Sequence, residues 1–217
     1  MTEQATVQLP EPAPEPAPPQ QNNYIVPLEE YLKAGIHIGT KFRTTYMEPF
    51  IYKIRPDGLA VLNVQKIDER LRIAAKFLAQ YEPGSILVTG RRENSWKAVK
   101  VFSKATGIKA FVGRYPPGIL TNCNLDNFME IKLLFVTDPL PEKNAVRDAV
   151  SVGVPVMALC DTNNESNYVD FVMPCNNKGK KSLGLIFYVL AREYLKIRGI
   201  ITSDDQFPYK ISDFVEE

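Results

Sequence analysis

His37 is the only histidine in the chain, so a Ser-His-Asp or Cys-His relay would have to be assembled around it. No serine or cysteine sits in a recognisable strand-to-helix elbow that would display a nucleophile. Phosphate-cradling loops are also incomplete. Gly90-Arg91-Arg92-Glu93-Asn94 offers one glycine, where a dinucleotide fingerprint needs three close together so that backbone can approach a pyrophosphate. Gly179-Lys180-Lys181-Ser182 has the end of a P-loop, but Pro174 stands where its first glycine belongs and Lys181 intrudes before the hydroxyl residue. Asp138, Asp161 and Asp170 could be arranged around a magnesium ion. Each lies beside a turn or a helix start, where an aspartate is expected to bond backbone N–H groups instead. Cys123, Cys160 and Cys175 are odd in number and widely spaced, which yields neither a disulfide framework nor a zinc clamp and fits a reducing cytosol. No metal, cofactor or small-molecule substrate is expected.

The cations are organised differently. The formal charge of +1 is a sum over unlike segments. Residues 1–30 hold five acids and no Lys or Arg, and residues 203–217 hold five acids and only Lys210, which leaves 25 Lys and Arg against 15 Asp and Glu between them, a body of +10. A basic body with acidic ends points to a polyanionic partner. Lys97, Lys100 and Lys104 recur at i, i+3 and i+7 opposite an apolar stripe, and Arg91-Arg92 precede them. Ordinary solvated helix faces mix both signs; here only Glu93 interrupts. Lys41, Arg43, Lys53 and Arg55 interleave with Phe42, Tyr46, Phe50 and Tyr52, a pattern suited to phosphates and to unpaired bases. The loop Gly113 to Asn122, with two glycines and two prolines, is expected to display Arg114 and Tyr115. Lys178, Lys180 and Lys181 gather before the last helix. His37 is read as a packing or RNA-contacting residue.

Pro10 to Pro19 alternates proline with Glu and Ala, which favours extended polyproline II and cannot pack a core. Residues 1–23 are therefore expected to be a disordered acidic Pro-rich tail, residues 24–200 one α/β domain, and residues 201–217 an acidic C-terminal tail. After the Asp57-Gly58 turn, strands are predicted at Leu59 to Val64, Ser85 to Thr89, Lys109 to Val112, Leu133 to Val136 and Val154 to Leu159, with a sixth run at Val169 to Met173. Ile67, Leu71, Ala74, Ala75 and Leu78 repeat at helical spacing, as do Ala98, Val101, Phe102 and Ala105. Ser182 to Arg198 is apolar on most sides and should be a deeply packed helix. Apolar strands separated by helices imply crossovers and a three-layer, mostly parallel α/β sheet, flavodoxin-like or Rossmann-like, with helices on both faces. The loops at the strand C-terminal ends are where a ligand would bind such a sheet, so an enzyme acting on a phosphorylated or nucleotide ligand there is the alternative reading.

Several segments resemble one family in the same order. Ala34-Gly35-Ile36-His37-Ile38-Gly39-Thr40, the Gly113 to Asn122 loop, Val136-Thr137-Asp138-Pro139, Ala158-Leu159-Cys160-Asp161-Thr162, Pro174-Cys175-Asn176-Asn177-Lys178-Gly179 and Leu190-Ala191-Arg192-Glu193-Tyr194-Leu195 are similar to motifs of the small-subunit ribosomal proteins numbered two. Only Cys123 to Lys132 separates the Leu-Thr-Asn loop from the next strand, so the helical hairpin that bacterial members carry there is missing, and Thr40 stands where they tend to have His. The Pro-Cys-Asn-Asn-Lys-Gly form resembles the archaeal and eukaryotic branch, and the short C-terminus, without the long animal extension, resembles an archaeal member. The resemblance implies a non-catalytic constituent of the cytoplasmic small ribosomal subunit, on its solvent side near the junction of head and body. It would touch ribosomal RNA and neighbouring ribosomal proteins, with no membrane association.

Overall fold

The computed structural model describes residues 24–215; the expected N-terminal tail lies outside them. The chain enters through Leu28–Ala34 (α1), which has Pro27 just before it, Glu29 and Glu30 in its first turn and Gly35 in the left-handed region after it. Its buried Tyr31 donates to Asp68 Oδ1 at 2.9 Å, which burial and the nearby carboxylate convert into a phenol held well above its ordinary pKa.

The segment from His37 to Arg55, irregular by its pattern, holds a 3-10 turn at Thr45–Phe50 and a strand, Ile51–Ile54 (β1). This strand gave no period-2 signal because three of its four residues are exposed. It pairs antiparallel with Ala60–Leu62 (β2). The predicted Leu59 to Val64 strand is thus shorter than its apolar run and belongs to this separate two-stranded sheet. Val64–Ala79 (α2) begins where the Asn63 side chain accepts the Gln65 N–H at 2.9 Å.

From there strands and helices alternate as expected: Ile86–Gly90 (β3), Glu93–Thr106 (α3), Lys109–Val112 (β4), Leu133–Val136 (β5), Lys143–Ser151 (α4), Val156–Cys160 (β6), Phe171–Pro174 (β7) and Lys180–Ile197 (α5). The five strands are all parallel, in the order β4-β3-β5-β6-β7. β3, β5 and β6 are buried throughout, which explains why their sequences read as continuous apolar runs. α5 packs against α2 and α3 on one face, while α4 lies on β5 and β6; right-handed crossovers put α4 on the opposite face. No helix among the described residues is long and apolar enough to cross a membrane.

Composition sets the segment after residue 200 apart, but its packing does not. Ile201, Phe207 and Phe214 are buried, and Ile211–Phe214 (α6) lies on α5 and α3. The Tyr188 ring meets Phe207 and Phe214 edge-on, with centroids 5.5 and 5.9 Å away. Asp204 faces solvent and pairs with Arg192 at 3.2 Å and Lys196 at 2.5 Å. The close approach depends on Gly184, where an added Cβ would fall 2.5 Å from a Val215 methyl.

Candidate nucleic-acid interface

The strand order reverses between β3 and β5, so the crevice at their C-terminal ends is the place where an open α/β sheet binds a ligand. Here the chain's own side chains fill it. Glu142, 3% exposed, accepts the Thr89 hydroxyl from β3, the hydroxyl of Thr137 just beyond β5 at 2.9 Å and the Arg91 N–H at 3.1 Å. Burial pushes its carboxyl up, and the three hydrogen bonds oppose that shift.

The neighbouring loops are tied together in the same way. Asp138 accepts the Arg92 Nε–H at 2.6 Å, the Leu140 N–H at 3.1 Å and the Asn164 amide at 2.9 Å. Asn164 in turn accepts the Asp161 N–H at 2.8 Å and the Asn177 amide at 3.1 Å. Lys178 Nζ reaches Asp161 Oδ2 at 2.9 Å and Asn163 Oδ1 at 2.8 Å, and Asp170 accepts the Val156 N–H at 2.8 Å. All three aspartates of the imagined magnesium cluster are therefore taken up by turn, cap or ion-pair contacts. Glu142 fills the switch point between β3 and β5, and beside it a cavity of about 220 Å³ stays open between Arg91, Arg114, Tyr115 and Asn144.

This network also engages several of the expected cations, of which Arg91 is exposed and Arg92, Lys97 and Lys178 are half-buried. Arg92 and Lys178 are held by carboxylates that are each 1% exposed, Arg91 donates to the Pro141 carbonyl at 2.7 Å, and Lys97 donates to the Val215 carbonyl at 2.6 Å. Tyr115 is likewise not displayed. It is 5% exposed, and its hydroxyl donates to Asp148 Oδ2 at 3.1 Å, which also accepts the Gly118 N–H at 2.8 Å. The two-glycine, two-proline loop therefore docks its tyrosine onto α4 and leaves Arg114 outward, with Pro117, Thr121 and Asn122 also exposed. Burial raises the Tyr115 phenol well above its ordinary value, with the Asp148 charge adding to the effect.

The remaining cations are exposed. Lys41, Arg43, Lys100, Lys104, Arg114 and Lys181 are at the surface, as are Lys53, over the Tyr52 ring at 6.0 Å, Arg55, paired with exposed Asp57 at 3.4 Å, and Lys180. The basic and aromatic segment is fixed to the body by backbone and side-chain hydrogen bonds. The Phe42 carbonyl accepts the hydroxyls of Thr40 at 2.9 Å and Thr162 at 3.0 Å, and Thr44 N–H donates to the Thr162 carbonyl at 3.0 Å. A Cβ on Gly39 would come within 2.5 Å of Thr162 Cγ2, so this glycine permits the approach. Phe42, Tyr46 and Tyr52 are 79%, 50% and 61% exposed, whereas Phe50 turns inward and takes the Arg70 guanidinium over its ring at 5.4 Å. His37 lines a groove of about 710 Å³ between α1 and the β1–β2 pair, and burial lowers its pKa.

Sequence reasoning missed one further aromatic and cationic cluster. Lys143 and Arg147 stand one turn apart on α4, both exposed, near Tyr168, which is 69% exposed and is the only non-glycine among the described residues with a positive φ. The turn-rich Asn-Asn-Glu-Ser-Asn-Tyr sequence was the available signal.

Fold and site together define a parallel-sheet α/β protein whose switch point is filled by its own Glu142 and whose surface carries exposed cations and aromatics. The family model for ribosomal protein S2 matches residues 31–127 and 124–196, and the chain belongs to that family. It is 53% identical over 190 residues, 88% of this chain and 94% of the relative, to a small ribosomal subunit protein uS2 of Nanoarchaeum equitans. Proteins of the same description from Pyrobaculum calidifontis and Thermoplasma acidophilum are 50% and 48% identical, over 89% and 88% of this chain and 94% and 96% of their own lengths.

Proposed function

We propose that this protein is a structural constituent of the cytoplasmic small ribosomal subunit, where it binds ribosomal RNA and neighbouring ribosomal proteins near the head-body junction on the solvent side. The observation that carries the reading is the match to the ribosomal protein S2 family across nearly the whole described domain, on a sheet whose switch-point crevice is occupied by Glu142. The RNA-facing set is the exposed part of the expected one: Lys41, Arg43, Lys53 and Arg55 with Phe42, Tyr46 and Tyr52, then Arg91, Lys100 and Lys104 on and before α3, Arg114, and Lys180 with Lys181. Lys181 stands in the first turn of α5, where a cation opposes the helix dipole and an RNA phosphate would relieve the conflict. Arg92, Lys97 and Lys178 support this surface from behind rather than contact phosphate.

Sedimentation tests the reading. The protein should remain with small subunits after a moderate-salt wash and leave them progressively as salt rises, since each phosphate contact adds to the salt slope. A protein found only in the free fraction at low salt would refute it.

A further inference from the structure

We infer that the pocket between α4 and the 161–170 loop holds one unpaired nucleotide of the ribosomal RNA, with its base stacked on Tyr168. The inference rests on the ribosomal reading and adds a site to it. The cavity measures about 210 Å³, smaller than the roughly 300–1,000 Å³ of pockets that enclose a small-molecule ligand. It suits a single flat group laid along one wall. Pro139 and Val146 are buried beneath it, and Leu140 and Tyr168, 45% and 69% exposed, stand at its sides. An exposed ring beside an apolar floor is what an unstacked base needs in order to leave its own helix.

The turn that presents Tyr168 adds an independent argument. Val169 N–H donates to the Ser166 carbonyl at 3.0 Å, making Tyr168 the third residue of a tight turn, at φ 64. That position favours glycine or asparagine, and a bulky side chain is held there at a steric cost. A tyrosine displayed at such a position is not a by-product of forming the turn.

Charge selects RNA over a protein side chain. Lys143 and Arg147 lie four residues apart on α4 and both line the pocket. Neither side chain has a hydrogen bond or ion pair among the described residues, unlike Arg92, Lys97 and Lys178. Two cations against one rim carboxylate, Glu165, leave the mouth of this apolar slot net positive, which complements the phosphates on either side of an inserted base. Asn167 and Glu165 on the rim offer donor and acceptor groups to its edge.

Small subunits assembled with wild-type protein or with variants, probed with a reagent that modifies unpaired bases, test the site. Asparagine tolerates the left-handed turn, so Tyr168→Asn preserves the fold while removing the ring. Base stacking on an aromatic side chain corresponds to about a five- to hundredfold change in local binding. One nucleotide, or two adjacent ones, protected in wild-type subunits should therefore become at least about fivefold more reactive in Tyr168→Asn. It should stay protected in Tyr168→Phe and lose protection in the Lys143→Gln/Arg147→Gln variant. Unchanged reactivity of every nucleotide across these variants would overturn the inference. So would a change confined to the hydrogen exchange of a neighbouring protein, which would assign the pocket to a protein side chain. Failure of the wild-type protein to enter subunits at all is a separate result and removes the ribosomal reading itself.

Discussion

Arg92 and Arg114 carry the same charge at adjacent strand ends, yet their removal should have opposite consequences. Arg92→Ala leaves Asp138, 1% exposed, with the Leu140 N–H and the Asn164 amide but without its cation. A loss of about 2 kcal/mol is expected, read as a lower denaturant midpoint. Arg114→Ala touches nothing inside and should stay within about 0.5 kcal/mol of wild type, while weakening subunit association. Glu142 is a second residue whose burial has a measurable sign. Its folded pKa lies above the ordinary value of 4.5, so its contribution to stability is fully present below that value and is lost as pH rises towards the folded pKa. His37, with its pKa lowered from 6.5, works the other way, its contribution falling away as pH drops below that value. The difference between wild type and Glu142→Gln isolates the carboxyl. Relative to wild type, the variant should gain stability as pH rises from about 4.5, and a pH-independent difference in denaturant midpoint would count against a buried carboxyl with a raised pKa.

Among the elements, the C-terminal segment is the one whose chemistry and packing diverge. Its acids face water while Phe207 and Phe214 bury against α5, and Lys97 on α3 holds its end at Val215. Phe214→Ala should therefore cost about 3–5 kcal/mol, far beyond what a solvated tail would lose. Gly184→Ala tests the same packing from the other side. Its Cβ would meet a Val215 methyl and the Phe214 backbone, so the segment must shift, and its amides should exchange faster although alanine improves the helix itself. Unchanged exchange after residue 200 would mean that this packing does not hold the segment.

At the scale of the whole molecule, the exposed cations are spread over the 41–55 segment, α3, the Gly113 to Asn122 loop and the start of α5. Charge reversal at Lys41, Arg43 and Lys53 leaves the buried core intact, as does reversal at Lys100 and Lys104, and both proteins should melt near the wild-type midpoint. Each should leave small subunits at lower salt, with the salt slope reduced by roughly 0.7–0.9 for every phosphate the variant no longer neutralises. If one variant sediments as wild type, that face is merely solvated and the other carries the RNA. A reversal that includes Arg92 or Lys97 would not test binding, because it would disturb Asp138 or the C-terminal segment first.

Much of this was legible in the sequence for a physical reason. Strand and helix periods are local, so the alternation after Asp57-Gly58 and the apolar runs of β3, β5 and β6 appear within a few residues, and charge segregation is a property of composition alone. The motifs from Ala34 to Leu195 carried the family. What local pattern could not supply was the partner of each polar group. Arg92 meets Asp138 across 46 residues, Lys178 meets Asp161 across 17, and Lys97 meets Val215 across 118. The sequence by itself determined a basic α/β body without catalytic groups. Only the tertiary structure decided which of its cations stay exposed at the surface and which neutralise a buried carboxylate or cap a distant carbonyl, because that choice is made between residues the chain order keeps apart.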